Sequence, residues 1–398
     1  MRLKDFHLTY CTNIHPGTTW EDTFDSLKTH LPGIREKVAP SKVFGIGLRL
    51  SNLASLQLSR GNALQEFREW LRKNDFYVFT MNGFPYGEFH GAPVKEKVHE
   101  PDWTHPERLA YTQRLFNQLS YLLPEGLEGG VSTSPIGYRH SYPTPGQKAG
   151  ALAKGASQMA RLVGDLYDKE RESGVFLHLD IEPEPDGLLE NSGEVLSFYR
   201  DYLIPAGQSF LQEALGLDAR EAEAAVRRHV NLCFDICHFA LAFESPREVL
   251  ERMRQNGIRV GKVQVSAALR AVAGAGDFQE VIRALKPFDE PTYLHQVSLK
   301  TEEGLRTYRD LSDFLENPVP FSELRSHFHV PIFVNTYGVL GATQAEITEA
   351  ASYFREHPEC VHFEVETYTW EVLPSGLKQD LENSISRELQ WFLNELNP

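Results

Sequence analysis

Apolar positions along the chain follow two alternating rhythms. Short runs such as Phe76-Tyr77-Val78-Phe79-Thr80-Met81-Asn82 have the length and the β-branched or aromatic content of buried strands. Between them lie longer stretches, among them 20–38, 107–123 and 147–174, whose apolar residues return every three or four positions, as in helices. The pattern predicts strands at 8–13, 43–50, 76–82, 129–135, 175–182, 231–238, 259–266 and 360–367. Further helices are predicted at 61–73, 194–215, 219–228, 246–255 and 377–396. Strands alternating with helices indicate a parallel sheet, and eight filled places make a closed (β/α)8 TIM barrel the economical fold.

Two further strand-like runs, 293–299 and 327–334, give ten candidates for eight places. They are read as a hairpin-like rim insertion within 267–335, inside one domain spanning 1–398. An alternative order moves 327–334 into the seventh barrel place and makes 259–266 the extra strand. No internal repeat or linker divides the chain.

The stretch His178-Leu179-Asp180-Ile181-Glu182-Pro183 concentrates the chemistry. Side chains alternate along a strand, so His178, Asp180 and Glu182 share one face and Leu179 and Ile181 the other, before the proline stops the strand. Acids at strand ends in a barrel face one mouth, where catalytic groups sit. Asp235 ends the sixth strand, Gln264 the seventh, and Glu364 or Glu366 the last. Glu364 and Glu366 have the same parity; Glu366 lies closer to the strand end and is the preferred ligand, with Glu364 a further substrate contact. Three carboxylates and an amide oxygen form a hard set suited to Mn2+ or Mg2+, with Co2+ or Zn2+ if histidine joins. Asp235-Ile236-Cys237-His238 places a histidine just past the acid. His327 and His329 share a strand face at a spacing that can hold metal. His295 and His15 are rim residues able to bind a hydroxyl-rich ligand. Phe84, Tyr86, Phe89, Tyr368 and Trp370 are candidates for an aromatic wall.

Composition narrows the function. The chain has 40 basic and 55 acidic residues, a net charge of −15. Nucleic-acid binding draws on phosphate neutralisation, so this charge argues against DNA or RNA partners. Four cysteines do not make a disulfide framework, and Cys233 and Cys237 read as core thiols on a strand. No signal-peptide core or bilayer-length apolar run occurs, and a cytoplasmic location is expected.

The set Glu182, Asp235-x-x-His238, Gln264 and Glu366 resembles that of the xylose isomerase-like barrels, which include sugar and inositol isomerases, epimerases, dehydratases and endonuclease IV. That resemblance implies one divalent metal held by Glu182, Asp235, Gln264 and Glu366, with the two glutamates as acid/base pair. It also implies a substrate-binding His238. More narrowly, Tyr10-Cys11-Thr12-Asn13-Ile14-His15-Pro16-Gly17, His327-Phe328-His329-Val330-Pro331 and Glu364-Val365-Glu366-Thr367-Tyr368-Thr369-Trp370 resemble the bacterial EboE metabolite traffic proteins. The expected activity is isomerisation, epimerisation or dehydration of a small polyhydroxylated or carbonyl metabolite through an enediolate. His238, His295, His329 and His15 are the expected substrate contacts. A barrel that binds or hands over a metabolite without turnover is the alternative. A nuclease is the minor one, since the extra histidines of a three-zinc site find no place on the corresponding strands.

Overall fold

Most barrel strands are short runs rich in β-branched, aromatic or glycine residues, and a sheet covered on both faces suits the buried apolar ones. The computed structural model describes residues 1–2, 6–88, 95–274, 276–371, 373 and 380–397. Seven strands come first: β1 (His7–Tyr10), β2 (Phe44–Arg49), β3 (Phe76–Asn82), β4 (Gly129–Thr133), β5 (Leu177–Ile181), β6 (Val230–Asp235) and β7 (Val260–Val265). The chain then leaves the ring for β8 (Ala268–Val272), β9 (Val297–Thr301), β10 (Gly304–Tyr308), β11 (Glu323–His329), β12 (Thr336–Tyr337) and β13 (Leu340–Ala342). It returns as β14 (His362–Val365).

β14 pairs in parallel with β1 and β7, giving the order β1-β14-β7-β6-β5-β4-β3-β2. The ring is the expected (β/α)8 barrel, nearly closed. Between β1 and β2 there is one backbone bridge, Cys11 to Gly47. Beside it the Thr9 hydroxyl donates to the Gly45 carbonyl at 2.8 Å and accepts from the Gly47 amide at 3.1 Å. The seventh place belongs to β7, so residues 327–334 lie outside the ring and the alternative order does not hold.

The segment after β7 is larger than a hairpin. β9 and β11 pair antiparallel, but within a six-stranded sheet of order β10-β9-β11-β8-β13-β12. The strand expected over 231–238 ends at Asp235, because its carboxylate accepts from the His238 amide and caps the helix Ile236–Leu241. Cys237 and His238 are therefore helical, and all four cysteines are buried free thiols. The first strand ends at Tyr10, and Thr12–Ile14 turns as a 3-10 helix. Phe89 and Leu377 lie outside the described residues; the last helix is Leu381–Leu396. No helix among the described residues is long and apolar enough to cross a membrane.

The helices start where capping chemistry allows. Thr19 and Asp22 form a reciprocal capping box for Trp20–Val38, as do Thr144 and Gln147 for Pro145–Ser173. Their apolar faces pack on the ring, and one continuous core joins barrel, helices and antiparallel sheet.

Inside the ring the side chains form polar layers. His7, His178 and His362 lie at the strand starts; Thr9, Asp180, Lys262 and Glu364 form the middle; Glu182, Asp235, Gln264 and Glu366 lie at the strand ends. All are buried. Lys262 Nζ lies 2.7 Å from Glu364 Oε1 with both side chains fully covered. Burial works against the lysine charge, but the Glu364 carboxylate overcomes it and raises the Lys262 pKa. Glycines make room for this layer: a Cβ on Gly47 would lie 1.6 Å from Glu364 Oε2, and one on Gly261 1.9 Å from Asp180 Oδ1.

Candidate metal centre at the barrel mouth

The strand ends bring Glu182, Asp235 and Glu366 together, one carboxylate oxygen of each lying within 4.8 Å of the others. Each acid is held by a different device. Asp235 uses Oδ1 for structure, accepting from the Ser266 hydroxyl at 2.7 Å and the His238 amide at 3.1 Å. Its Oδ2 has no hydrogen-bond partner among the described residues. Glu366 Oε1 accepts from Asn13 Nδ2 at 2.7 Å and Asn82 Nδ2 at 3.2 Å. Glu182 Oε2 and both amide atoms of Gln264 are buried without a partner among the described residues.

Crowding and burial show in the acidities. Burial, then the charges of Glu366 and Asp235, push Glu182 well above the carboxylate range. Burial, then Asp235 and Glu364, push Glu366 up to about 8. Buried polar atoms are rarely left unpaired, and clustered carboxylates repel. A divalent cation removes both costs, so the donor set fits one.

Beside the acids stands a histidine cluster. His238 donates through Nδ1 to the Pro183 carbonyl, and His329 through Nδ1 to the Glu366 carbonyl, each at 2.8 Å. His327 Nδ1 lies 2.8 Å from Gln296 Oε1, and Gln296 gives its own amide hydrogen to Pro185. In the neutral rings this leaves every Nε2 as a bare lone pair. His238 Nε2 and His327 Nε2 face each other at 3.1 Å, a repulsive contact unless a proton or cation stands between them. His329 Nε2 is buried and unpaired among the described residues. Burial holds His329 down at about 4, and it lowers His327 well below its usual value. Asp235, His238 and His329 form a second group with metal-ligand spacing, and Asp235 belongs to both. Imidazoles pinned through Nδ1 are the usual arrangement of metal-binding histidines.

The mouth encloses about 600 Å3, open to solvent, between these groups and a wall of Phe84, Tyr293 and Tyr368.

The chain matches no protein-family model and no curated protein. Solved structures do match. One is a xylose isomerase-like TIM barrel protein from Mycobacterium smegmatis in complex with magnesium, at 11% identity and a TM-score of 0.51, covering 98% of this chain and 96% of that one. The fold is that of the xylose isomerase-like TIM barrels. An IOLI protein with a bound zinc atom matches at 12% identity and a TM-score of 0.49, over 98% of both chains. A D-tagatose 3-epimerase-like protein matches at 12% identity and 0.47, again over 98% of both.

Within this xylose isomerase-like barrel the expected site residues divide. Glu182, Glu366, His238 and His329 line the mouth, and Asp235 and Gln264 are buried at the same strand ends. His15, His295 and Glu364 are not among the lining residues. His15 bonds Tyr10 through Nε2 at 2.7 Å and stacks on His30. His295 is tied to Glu290 at 2.8 Å and to the His327 carbonyl at 2.9 Å. Glu364 points into the middle layer toward Lys262. Phe84 and Tyr368 face the mouth, whereas Tyr86 packs on Tyr111 and Trp370 on Phe333.

Among the lining residues that escaped the sequence reading are Asn13, Asn82, Lys95, His99 and Glu184. Asn82 ends β3 and Glu184 follows Glu182 at the same parity, so the strand-end argument could have found both. Asn13, just past β1, is within reach of the same argument. His99 and Lys95 lie in an irregular segment and carry no periodic signal. Burial, then the Arg108 charge, hold His99 down at about 3.

Proposed function

We propose that this protein is a metal-dependent enzyme of the isomerase or epimerase type, acting on a small polyhydroxylated or carbonyl metabolite. The convergence of Glu182, Asp235 and Glu366, with Gln264 unpaired beside them, carries the reading. The four side chains would hold one Mn2+ or Mg2+; the Mycobacterium protein of like fold was solved with magnesium. Such an ion supplies Lewis-acid polarisation of two neighbouring substrate oxygens. Glu182 and Glu366 would take a proton from one carbon and return it to the next, as a paired acid and base. Asn13 and Asn82 fix the Glu366 carboxylate, and His238 and His329 would orient substrate hydroxyls. A mouth of about 600 Å3 with an aromatic wall suits a small molecule rather than a duplex. A metabolite-processing or traffic role of the EboE kind fits the same site.

A second reading rests on the histidine cluster. Three bare imidazole nitrogens beside a shared Asp235 suit Zn2+ or Co2+, and a two-metal centre of this kind would favour hydrolysis of a small phosphate ester.

The test is metal content by mass spectrometry for the wild type, Glu182→Gln and Asp235→Asn. It is paired with solvent-deuterium uptake into ketoses, aldoses and inositols by the Mn2+-loaded protein. The expected result is bound metal in the wild type, depleted in both variants, and deuterium entering one carbon of a substrate. Metal without deuterium uptake, but with phosphate release from small esters, selects the second reading. Metal and ligand binding without turnover of either kind selects the binding barrel. A wild type that holds no metal after reloading overturns both catalytic readings.

A further inference from the structure

We propose that the opposite, N-terminal end of the barrel carries a separate zinc-type site built by Glu128, His178 and His362. One ligand atom from each lies within 4.8 Å of the other two. The three come from different parts of the ring: Glu128 immediately precedes β4, His178 is the second residue of β5, and His362 opens β14. None of them belongs to the mouth, whose ligands sit at the far ends of the strands.

The hydrogen bonding leaves these side chains ready to coordinate. His178 Nδ1 lies 2.7 Å from Asp180 Oδ1, so the ring donates there and presents Nε2 as a lone pair. That Nε2 is buried with no hydrogen-bond partner among the described residues, and it stands 4.0 Å from Glu128 Oε1. His362 is equally buried, and its Nδ1 has no partner among the described residues. The two imidazoles lie close, with ring centroids 5.5 Å apart. A buried, unused imidazole nitrogen is costly, and two beside a carboxylate are best explained by a cation they share.

The outer partners are also in place. Asp180 sets the tautomer of His178, the carboxylate–histidine pairing that commonly supports a zinc ligand. Glu128 Oε1, the oxygen 4.0 Å from His178 Nε2, already accepts from the Arg259 guanidinium, which partly offsets the carboxylate charge and leaves Oε2 as the oxygen for an ion. A groove lined by Glu128 and His362, with Arg2, His7 and Phe176, leads from solvent to the cluster. Two histidines, one carboxylate and an open side toward the groove make a zinc-type donor set. Bound there, with water in the open position, the ion would join the β4–β5 side of the ring to β14 across its interior.

The test uses the full chain and zinc chloride alone. Anomalous diffraction at the zinc edge, from soaked crystals, is expected to show a peak among Glu128, His178 and His362, separate from any at the mouth. Zinc counted after dialysis is expected to fall by one per chain in His362→Ala and in Glu128→Ala. Asp180→Asn should retain that zinc with about 10–100-fold weaker affinity. Glu128 is partly exposed, so its variant keeps the test valid should His362→Ala fail to fold. No zinc at the lower end of the wild type, or equal zinc counts in the wild type and Glu128→Ala, would overturn the proposal.

Discussion

Ser266 decides which oxygen of Asp235 faces the mouth. Its hydroxyl and the His238 amide occupy Oδ1, and Oδ2 is left for a ligand. Ser266→Ala is expected to weaken metal binding about 10–100-fold with little change in melting temperature, read by titration against a chelating dye. An unchanged affinity would mean that the amide alone orients the carboxylate. Lys262 is a second decisive residue. Lys262→Met leaves Glu364 buried without its counter-charge and should cost about 3–5 kcal/mol in urea unfolding, most of it restored by adding Glu364→Gln. If the single variant loses as little as the double, the pair is not coupled. At this scale strand parity made much of the interior legible, placing His178, Asp180 and Glu182 together on one face. Parity could not separate Glu364 from Glu366, because their difference is depth in the ring, set by Lys262 on a neighbouring strand. Nor could it reveal the histidine tautomers, which depend on carbonyls brought near by folding.

The closing helix Leu381–Leu396 docks through one acid. Glu388 Oε1 accepts from the Thr367 hydroxyl at 2.7 Å and the Ile332 amide at 3.1 Å, tying the helix to the segments that follow β14 and β11. Burial, only partly opposed by these bonds, pushes Glu388 up to about 7. The folded state therefore holds this proton more tightly than the unfolded chain. Between the unfolded value, about 4.3, and about 7 the unfolded chain has lost it first, so this acid's contribution to stability falls as pH rises. Glu388→Gln keeps an acceptor oxygen and removes the titration. The difference in unfolding free energy between variant and wild type should grow by about 3 kcal/mol from pH 4 to pH 8. A difference that stays flat across that range would contradict the assignment. Long elements of this kind were legible because their caps and period lie within a single stretch of chain. The antiparallel sheet was not: β8 and β13 have only five and three residues, and their pairing is set by partners distant in sequence.

At the scale of the whole molecule, the alternation of strands and helices was enough to give the barrel, but not its closure. A rolled sheet fastened by one bridge and the side chains of two threonines has a weak seam, and the molecule is closer to a scroll than to a hoop. Opening fluctuations should start along that seam, since fewer backbone bonds must break there. Thr9→Val removes the only side-chain acceptor described for the Gly47 amide, and hydrogen exchange should quicken at β2 while β5 and β6 stay protected. Equal exchange across all three strands would show that helix packing, not the fastening, limits the motion. The same seam continues upward to Thr12, which accepts from the Arg49 amide at 2.9 Å, and then to Asn13, the residue that steadies Glu366. Unrolling by a single residue would therefore loosen an acid at the mouth, coupling the breathing of the scaffold to the aim of a carboxylate some distance from where the movement begins.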